Sequence, residues 1–523
     1  MNIKILDCTL RDGGYINNWD FGKNLAKKML VSLDKAGIEF NEIGFLQDTQ
    51  YNPERTLFNE ISQINNILPD NINLKTKIVA MIIYGKFDEK KIIPKDSNIK
   101  LDAIRVTFKK DENNTVFSYL NKIKKCGYKL FINPTNVESY SDKELLTILD
   151  KVNKIQPYGF SIVDTNGVLK ERDIIRLTYF IDNNLSNDIA LCFHSHNNLQ
   201  LSFSNAQCLM KICNNRELII DSTVFGMGRG AGNLCTELIT QYINDNYNGH
   251  YDIVPILKII DEQINPIFSQ TPWGYSVPYY LAATNHCHPN YAKYLVDKQT
   301  VPVEVINELL QSIPDNKKSG YDVNLIKQIY LDNFSKNIDD ASVVNKFQEI
   351  LKNRKILLMA PGKSLSNEGD KINNFINENK PFVISINFIP QDYNANVTFI
   401  SNMKRFSSLD NYDKPLLVTS NIENIPEKAH VLNYSSYLNN SKMYDNAALM
   451  CLKLLESIGV KEINLAGLDG FSTIPAENYV SSELINNAKE NEFDERNEIM
   501  SEELRKISKI IKLNFITKTH YQL

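Results

Sequence analysis

The sequence predicts an α/β protein: a parallel (β/α)8 TIM barrel, then a helical segment, then a doubly wound, Rossmann-like α/β domain. Three observations carry this. Up to about residue 245, short β-rich runs alternate with longer amphipathic stretches, the rhythm of repeated βα units. Between about 250 and 352 helical runs dominate, and the βα rhythm returns after Lys355. Finally, 523 residues exceed what one ordinary core organises. The expected division is 1–249, 250–353 and 354–523.

Taken in order, the expected barrel strands are Ile3 to Cys8, Glu39 to Gly44, Ile78 to Tyr84, Ala103 to Thr107, Lys129 to Asn133, Gly159 to Asp164, Ile189 to His194 and Ile219 to Val224. That is the eight a barrel of about 250 residues requires. Between the first two, Leu25, Met29, Leu30 and Leu33 recur at helical spacing, and Gly37 reads as the C-cap. The middle segment carries an aromatic cluster, Trp273 to Tyr280, and two histidines, His286 and His288. In the last third, Ile356 to Met359, Val383 to Asn387, Val397 to Ile400, Leu416 to Thr419 and Ile463 to Ala466 read as strands, and Ala447 to Ile458 as a helix. Ligands of such a sheet are expected at the carboxyl ends of its strands. Pro361-Gly362-Lys363-Ser364 is a weak candidate for a phosphate cradle, since it lacks the first glycine of a P-loop, and an ordinary tight βα turn is the simpler reading.

Composition narrows the function classes. With 58 basic and 62 acidic residues the formal net charge is -4, and no basic stripe or polybasic run appears. No nucleic-acid or anionic-membrane partner is expected. Eight scattered cysteines without a Cys-x-x-Cys pair argue against zinc ribbons and a disulfide framework. No apolar run approaches membrane-spanning length. A cytoplasmic protein is expected.

The chemistry is read at two strand exits. Ile3 to Leu10 is a largely apolar run leading into Arg11, Asp12, Gly13 and Gly14, so a cation, a carboxylate and a flexible turn stand where barrel enzymes keep reactive groups. Alone, an Arg-Asp dipeptide usually means a local salt bridge. A second run, Ala190 to Phe193, leads into His194-Ser195-His196-Asn197, and histidines at i and i+2 of an extended segment point the same way. One carboxylate and two such imidazoles make a three-ligand site for a divalent metal, Mn2+, Mg2+ or Co2+, with open positions.

These strings, together with Gly226-Met227-Gly228-Arg229-Gly230-Ala231-Gly232-Asn233, closely resemble the DRE-TIM metallolyase (HMGL-like) superfamily. That group includes 4-hydroxy-2-oxovalerate aldolases, hydroxymethylglutaryl-CoA lyases, and isopropylmalate and homocitrate synthases; the aldolases are the nearest resemblance. The resemblance covers the first half of the chain. It implies Asp12, His194 and His196 as metal ligands, joined in some branches by Asn233. Arg11 would stabilise an enolate oxygen and Glu42 would hold Arg11. Thr165, Gly228 and Gly230 would line the substrate pocket, with Tyr275 supplied by the helices after the barrel, which in this superfamily often help form a homodimer. His286 and His288 rank lower as acid-base groups. The last third faintly resembles the nucleotide-binding domains of sialyltransferase-like and flagellin-glycosylation-associated proteins, which implies a nucleotide or nucleotide-sugar partner there.

One departure stands out. Tyr15 occupies the place where the aldolases carry an acid-base histidine. A phenol of pKa about 10 is a poor base unless nearby positive charge depresses it. Either Tyr15 is so activated, or water takes the proton and Tyr15 orients the aldehyde. The implied activity is a metal-dependent aldolase interconverting a 4-hydroxy-2-oxo acid with pyruvate and an aldehyde, the aldehyde coming from carbohydrate or surface-polysaccharide metabolism. The alternatives are an acetyl-CoA-dependent Claisen condensation, and a non-catalytic barrel serving the C-terminal domain as a scaffold.

Overall fold

The structure is a computed structural model. It describes all residues except 1, 70–72, 214, 410–413, 482–483 and 485–489. The chain forms two compact units, one of Met1–Pro289 with Lys318–Gly320, the other of Asn290–Lys317 with Tyr321–Leu523. The helices of residues 250–353 are therefore divided between them, Val254–Ile259 and Val277–Thr284 in the first, Val303–Gln311 and Val323–Phe334 in the second.

The first unit is the barrel. Its strands are β1 (Ile3–Asp7), β2 (Phe40–Leu46), β3 (Leu57–Phe58), β4 (Lys77–Ile83), β5 (Ala103–Phe108), β6 (Lys129–Pro134), β7 (Gly159–Asp164), β8 (Ala190–Ser195) and β9 (Leu218–Ser222). They pair in parallel in the order β1-β9-β8-β7-β6-β5-β4-β2-β3, and β1 closes on β2 through Leu6 beside Phe40 and Asp7 beside Asn41. The eight expected strands are all present and displaced by at most about two residues at their ends. The short β3 is additional and pairs only with β2.

Side-chain alternation decides what the barrel interior holds. Leu6, Phe40, Ala103, Cys192 and Ile219 pack in one cluster inside the strands, and residues two further along each strand must face the same way. Those residues are Cys8, Glu42, Arg105, His194 and Asp221. An apolar floor therefore supports a layer rich in charge. On the outer face the helices cover the sheet; Lys23–Ala36, for example, buries Ala26, Met29, Leu30 and Leu33 and ends at Gly37 in a left-handed conformation (φ 85°), as the sequence predicts.

The second unit contains a seven-stranded all-parallel sheet. Its strands are β10 (Ile356–Met359), β11 (Phe382–Ile386), β12 (Val397–Ile400), β13 (Leu416–Thr419), β14 (His430–Leu432), β15 (Glu462–Ala466) and β16 (Lys512–Phe515), in the order β14-β13-β12-β11-β10-β15-β16. The helix Ala447–Ser457 is capped at its start by Asn446, whose side chain accepts from the Ala448 and Leu449 amides. No helix among the described residues is long and apolar enough to cross a membrane.

Candidate active site

The exit of β1 is a single π-helical turn, Thr9–Gly13, buried throughout. It is anchored by Asp7, whose carboxylate accepts from the Thr9 amide at 2.9 Å and from Thr236 Oγ1 at 2.7 Å. That turn aims Arg11 and Asp12 into the barrel mouth. Arg11 donates through Nε to Glu42 Oε2 at 2.7 Å and lies 3.0 Å from Asp12 Oδ1 through Nη1. Its Nη2 has no hydrogen-bond partner among the described residues.

His194 and His196, on the exit of β8, turn to the same carboxylate. Their Nε2 atoms lie 3.4 and 3.9 Å from Asp12 Oδ2, and their rings are edge to face with centroids 5.3 Å apart. Burial opposes ionisation of Asp12, but Arg11 and the two histidines hold its carboxyl well below the usual carboxylate range. Burial pushes His196 down to about 3, so its imidazole is neutral, the form in which histidine binds a metal. Asn233 is drawn in by an isolated antiparallel bridge to His196. Its Nδ2 donates to the Met227 carbonyl at 3.2 Å, leaving Oδ1 buried without a partner.

The donor set suits a divalent cation. Arg11, Arg105, Asp12, Glu42 and Asp221 together leave one negative charge over, on carboxylates almost wholly out of water. Asp12 Oδ2 and Asn233 Oδ1 are both buried without hydrogen-bond partners among the described residues, an expensive arrangement unless something positive takes them. Ligand atoms 2.0 to 2.2 Å from one ion stand about 3 to 4 Å apart, which is the separation of Asp12 Oδ2 from each of the two histidine Nε2 atoms. The Cys8 thiol also lies within 4.8 Å of the Asp12 and His194 donors. Its Sγ donates to the Ser222 carbonyl at 3.3 Å, and burial pushes the thiol well up.

Behind this layer sits a brace that the sequence reading did not identify. Arg105, with none of its surface exposed, reaches Asp221 Oδ2 at 2.5 Å through Nη2 and Glu42 Oε2 at 3.5 Å through Nη1. Asp221 Oδ2 in turn lies 3.1 Å from His194 Nδ1. A carboxylate behind a histidine's second nitrogen fixes which nitrogen faces a metal. The signal was available: Ile104-Arg105-Val106 and Ile220-Asp221-Ser222 each place a charge inside a strand that otherwise reads as buried, and buried charges come paired.

The remaining expected residues fall into two groups. Thr165 and the glycine loop lie at the mouth. Thr165 Oγ1 accepts from the Asn136 amide at 2.8 Å. At Gly228 an added Cβ would sit 2.1 Å from Asn233 Nδ2, so this glycine is what admits Asn233; at Gly230 (φ 71°) it would sit 2.7 Å from Asn198 Oδ1. Tyr15 is two-fifths exposed, its ring beneath the Arg229 guanidinium at 5.5 Å. Burial of its hydroxyl pushes the phenol up, and Arg229 and Arg11 pull it back only in part. Arg229 Nη1 lies 3.3 Å from His288 Nε2, an imidazole that burial and then Arg229 push down to about 3. Two others are exposed. Tyr275 is 58% exposed with its ring against Tyr280, and His286 is exposed. Trp273 meets the glycine loop as well: its Nε1 donates to the Phe225 carbonyl at 3.0 Å and its ring is 3.2 Å from the Cβ position of Gly232.

Glu138, just past β6, gives a test of electrostatics at this end of the barrel. Burial, and next the charge of Asp164, push its carboxyl up to about 8. A raised folded-state pKa means the fold prefers the protonated acid: the contribution is complete below the unfolded value of 4.5 and is lost as pH rises to about 8. Glu138→Gln should therefore leave stability unchanged at pH 4 and raise it by on the order of 2 kcal/mol at pH 8, after discounting for a half-buried group. Urea unfolding across that range reads the difference directly, and an equal effect at both ends would remove the assignment.

Residues 2–260 match the HMGL-like family. The oxaloacetate decarboxylase of Mycobacterium tuberculosis is 23% identical over 277 residues, 52% of this chain and 79% of that protein. The 4-hydroxy-2-oxovalerate aldolase of Geobacillus genomosp. 3 is 23% identical over 248 residues, 46% of this chain and 70% of that one. Among solved structures, the N-terminal domain of a Bacteroides vulgatus protein is 27% identical, with a TM-score of 0.48, covering 56% of this chain and 96% of that domain. Residues 2–260 thus form an HMGL-like domain of the DRE-TIM type, a family of lyases and aldolases.

Proposed function

We propose that the barrel is a divalent-metal-dependent carbon-carbon lyase that splits a 4-hydroxy-2-oxo acid into pyruvate and an aldehyde, and joins them in reverse. The observation that carries this reading is the buried, unpartnered Asp12 Oδ2 facing two histidine Nε2 atoms, with the open Arg11 Nη2 beside it. Asp12, His194 and His196 would hold Mn2+, Mg2+ or Co2+, with Asn233 Oδ1 within reach of the same ion. When bound, the metal supplies a Lewis acid that draws electron density toward the 2-oxo group.

The chain's own residues do the rest. In the cleavage direction the C3–C4 bond breaks, its electron pair passes to C3 of pyruvate as the enolate, and the C4 hydroxyl loses its proton. Arg11, held by Glu42, places a fixed positive charge and a free N–H where the enolate oxygen develops. Thr165 and the backbone of Gly228 and Gly230 would receive the substrate carboxylate. Tyr15, whose phenol burial keeps protonated at neutral pH, donates a hydrogen bond to the oxygen on C4, solvent takes the C4 hydroxyl proton, and a proton from solvent added at C3 converts the enolate to pyruvate. The two named relatives support the pyruvate half of this reading, because decarboxylation of oxaloacetate leaves the same pyruvate enolate as aldol cleavage.

The experiment is a panel of aldehydes, short and hydroxylated, incubated with pyruvate and Mn2+ and read by mass spectrometry, with oxaloacetate decarboxylation assayed beside it. A new 4-hydroxy-2-oxo acid supports the aldolase. Pyruvate release from oxaloacetate with no aldol product replaces it with a decarboxylase. Thiol release from acetyl-CoA with a 2-oxo acid would favour the Claisen alternative. Tyr15→Phe should lower kcat by about tenfold, the loss of one neutral hydrogen bond. A loss beyond about a thousandfold would make the phenol the proton carrier instead.

A further inference from the structure

Arg229 is a cation at the barrel mouth that the lyase reading leaves without a task. It stands in the glycine loop, which is pinned on both sides of it. Gly228 lies against the Asn233 side chain, and Gly230 and Ala231 lie against Asn198, whose Oδ1 accepts from the Ala231 amide at 2.9 Å. Asn198 is itself buried and donates through Nδ2 to the Asn166 carbonyl at 2.9 Å. With its backbone so fixed, Arg229 ends with the guanidinium 5.5 Å from the centre of the Tyr15 ring. The same ring packs edge to face on Trp19 at 4.8 Å and on Phe45 at 6.4 Å. The phenol therefore has an apolar wall and a cation as its neighbours.

The other arginines of the site are matched by carboxylates: Arg11 by Asp12 and Glu42, Arg105 by Asp221 and Glu42. Among the described residues Arg229 forms no ion pair, and its hydrogen bond runs from Nη1 to His288 Nε2 at 3.3 Å. A guanidinium has five N–H donors and no acceptor, so His288 Nε2 accepts. Burial, and then the charge of Arg229, push that imidazole down to about 3, so it is neutral at physiological pH. A neutral ring takes one donor and cancels no charge. Arg229 is half-buried, where water screens it less than on an open surface, and its planar fork matches a carboxylate or a phosphate. Its charge acts on both His196 and the Tyr15 phenol, which puts it within electrostatic reach of the reacting groups.

We propose that Arg229 recognises an anionic group, a carboxylate or a phosphate, on the aldehyde half of the substrate. The inference rests on the lyase reading, in which Tyr15 meets the oxygen on C4; the atoms beyond C4 then run toward the guanidinium beside the phenol. The anion takes no part in the bond change. The test sets matched aldehydes against each other with pyruvate and Mn2+: glyoxylate with glycolaldehyde, succinic semialdehyde with butyraldehyde, and glyceraldehyde 3-phosphate with glyceraldehyde. In at least one pair kcat/KM should be about tenfold or more higher for the anion, and the pair that responds tells carboxylate from phosphate. Arg229→Gln should bring that ratio to within about threefold of one, and Arg229→Lys should keep part of it. An arginine that only propped Tyr15 and His288 would slow both members of a pair alike and leave the ratio as it was.

Binding is read separately by calorimetry on the full chain with Mn2+. The probes are 2-oxopentanedioate with 2-oxopentanoate, 2-oxoheptanedioate with 2-oxoheptanoate, and the 4-hydroxy-2-oxo acid of glyceraldehyde 3-phosphate with that of glyceraldehyde. The same preference of about tenfold, lost in Arg229→Gln, is expected. If no aldehyde yields product while the preference in binding holds, the lyase reading fails and the anion site stands. If product forms and every pair agrees within about threefold in rate and in binding, the lyase stands and the anion site is overturned. Equality within every pair without product overturns both. So, for the anion site, does a preference that Arg229→Gln leaves intact while the variant remains folded by circular dichroism.

Discussion

Asp12→Asn is expected to leave a folded barrel whose lyase turnover falls by about 10³-fold or more, ~4 kcal/mol of transition-state stabilisation. The amide keeps the carboxylate's shape, so the π-helical turn of Thr9–Gly13 and its anchor on Asp7 are undisturbed. What changes is charge. Asp12 Oδ2 is the acceptor that both histidine Nε2 atoms face, and without its negative charge the two arginines are balanced by only Glu42 and Asp221. The site then has no surplus to attract a dication. Arg11 keeps its bond to Glu42 Oε2, which separates loss of the metal from collapse of the arginine. Three readouts decide the matter: circular dichroism for the fold, Mn2+ titration for the metal, and initial rates for turnover. Wild-type turnover that persists after chelation, or an Asp12→Asn rate within about tenfold of wild type, would end the metal reading. His194→Ala should behave alike in metal affinity, since it removes a second donor to the same ion.

The barrel was legible because its strands are largely apolar runs, most of their residues buried on both faces and interrupted by few charges. The strands that escaped notice share a different property. β3 is two residues long, β14 three, and β16, Lys512–Phe515, lies at the sheet edge with its first residue exposed and the rest half-buried. None is long or apolar enough to rise above the loops around it. The division of the 250–353 helices between two compact units likewise follows from contacts that helical periodicity does not report. In the site, polar strings at strand exits were readable, and single charges inside apolar strands were not. Asp12 and the His194, His196 pair stand out as polar strings after strands. Arg105 and Asp221 each look like one charge in an apolar strand, and they are 116 residues apart; only the wrap of β5 to β9 around the barrel brings them together. Tyr275 was implied by the family resemblance; Trp273, two residues earlier, is anchored by a hydrogen bond to the Phe225 carbonyl, just before the glycine loop.

Arg105→Met is expected to be the most destabilising single change in the barrel interior, by about 3 to 5 kcal/mol. The methionine fills much of the volume, so the loss is electrical: Asp221 would lose its 2.5 Å partner and Glu42 its second cation, in a layer that rests on Phe40, Ala103 and Ile219 rather than on water. A carboxylate stranded there costs far more than the original pair gained. If this account is right, pairing Arg105→Met with Asp221→Asn should recover part of the loss, because the amide removes the stranded charge; a double-mutant cycle by urea denaturation would give a coupling on the order of 1 to 3 kcal/mol. Activity should not recover with stability. Asp221 faces His194 Nδ1 at 3.1 Å, and an amide there no longer fixes which imidazole nitrogen points at Asp12, so metal affinity in the double variant should remain about 10 to 100-fold below wild type. Arg105→Lys keeps the charge without the planar fork and should fall between the two in stability. A double variant as unstable as the sum of its parts would show that Arg105 is held by packing alone, and one that regains both stability and Mn2+ affinity would remove Asp221 from the support of His194.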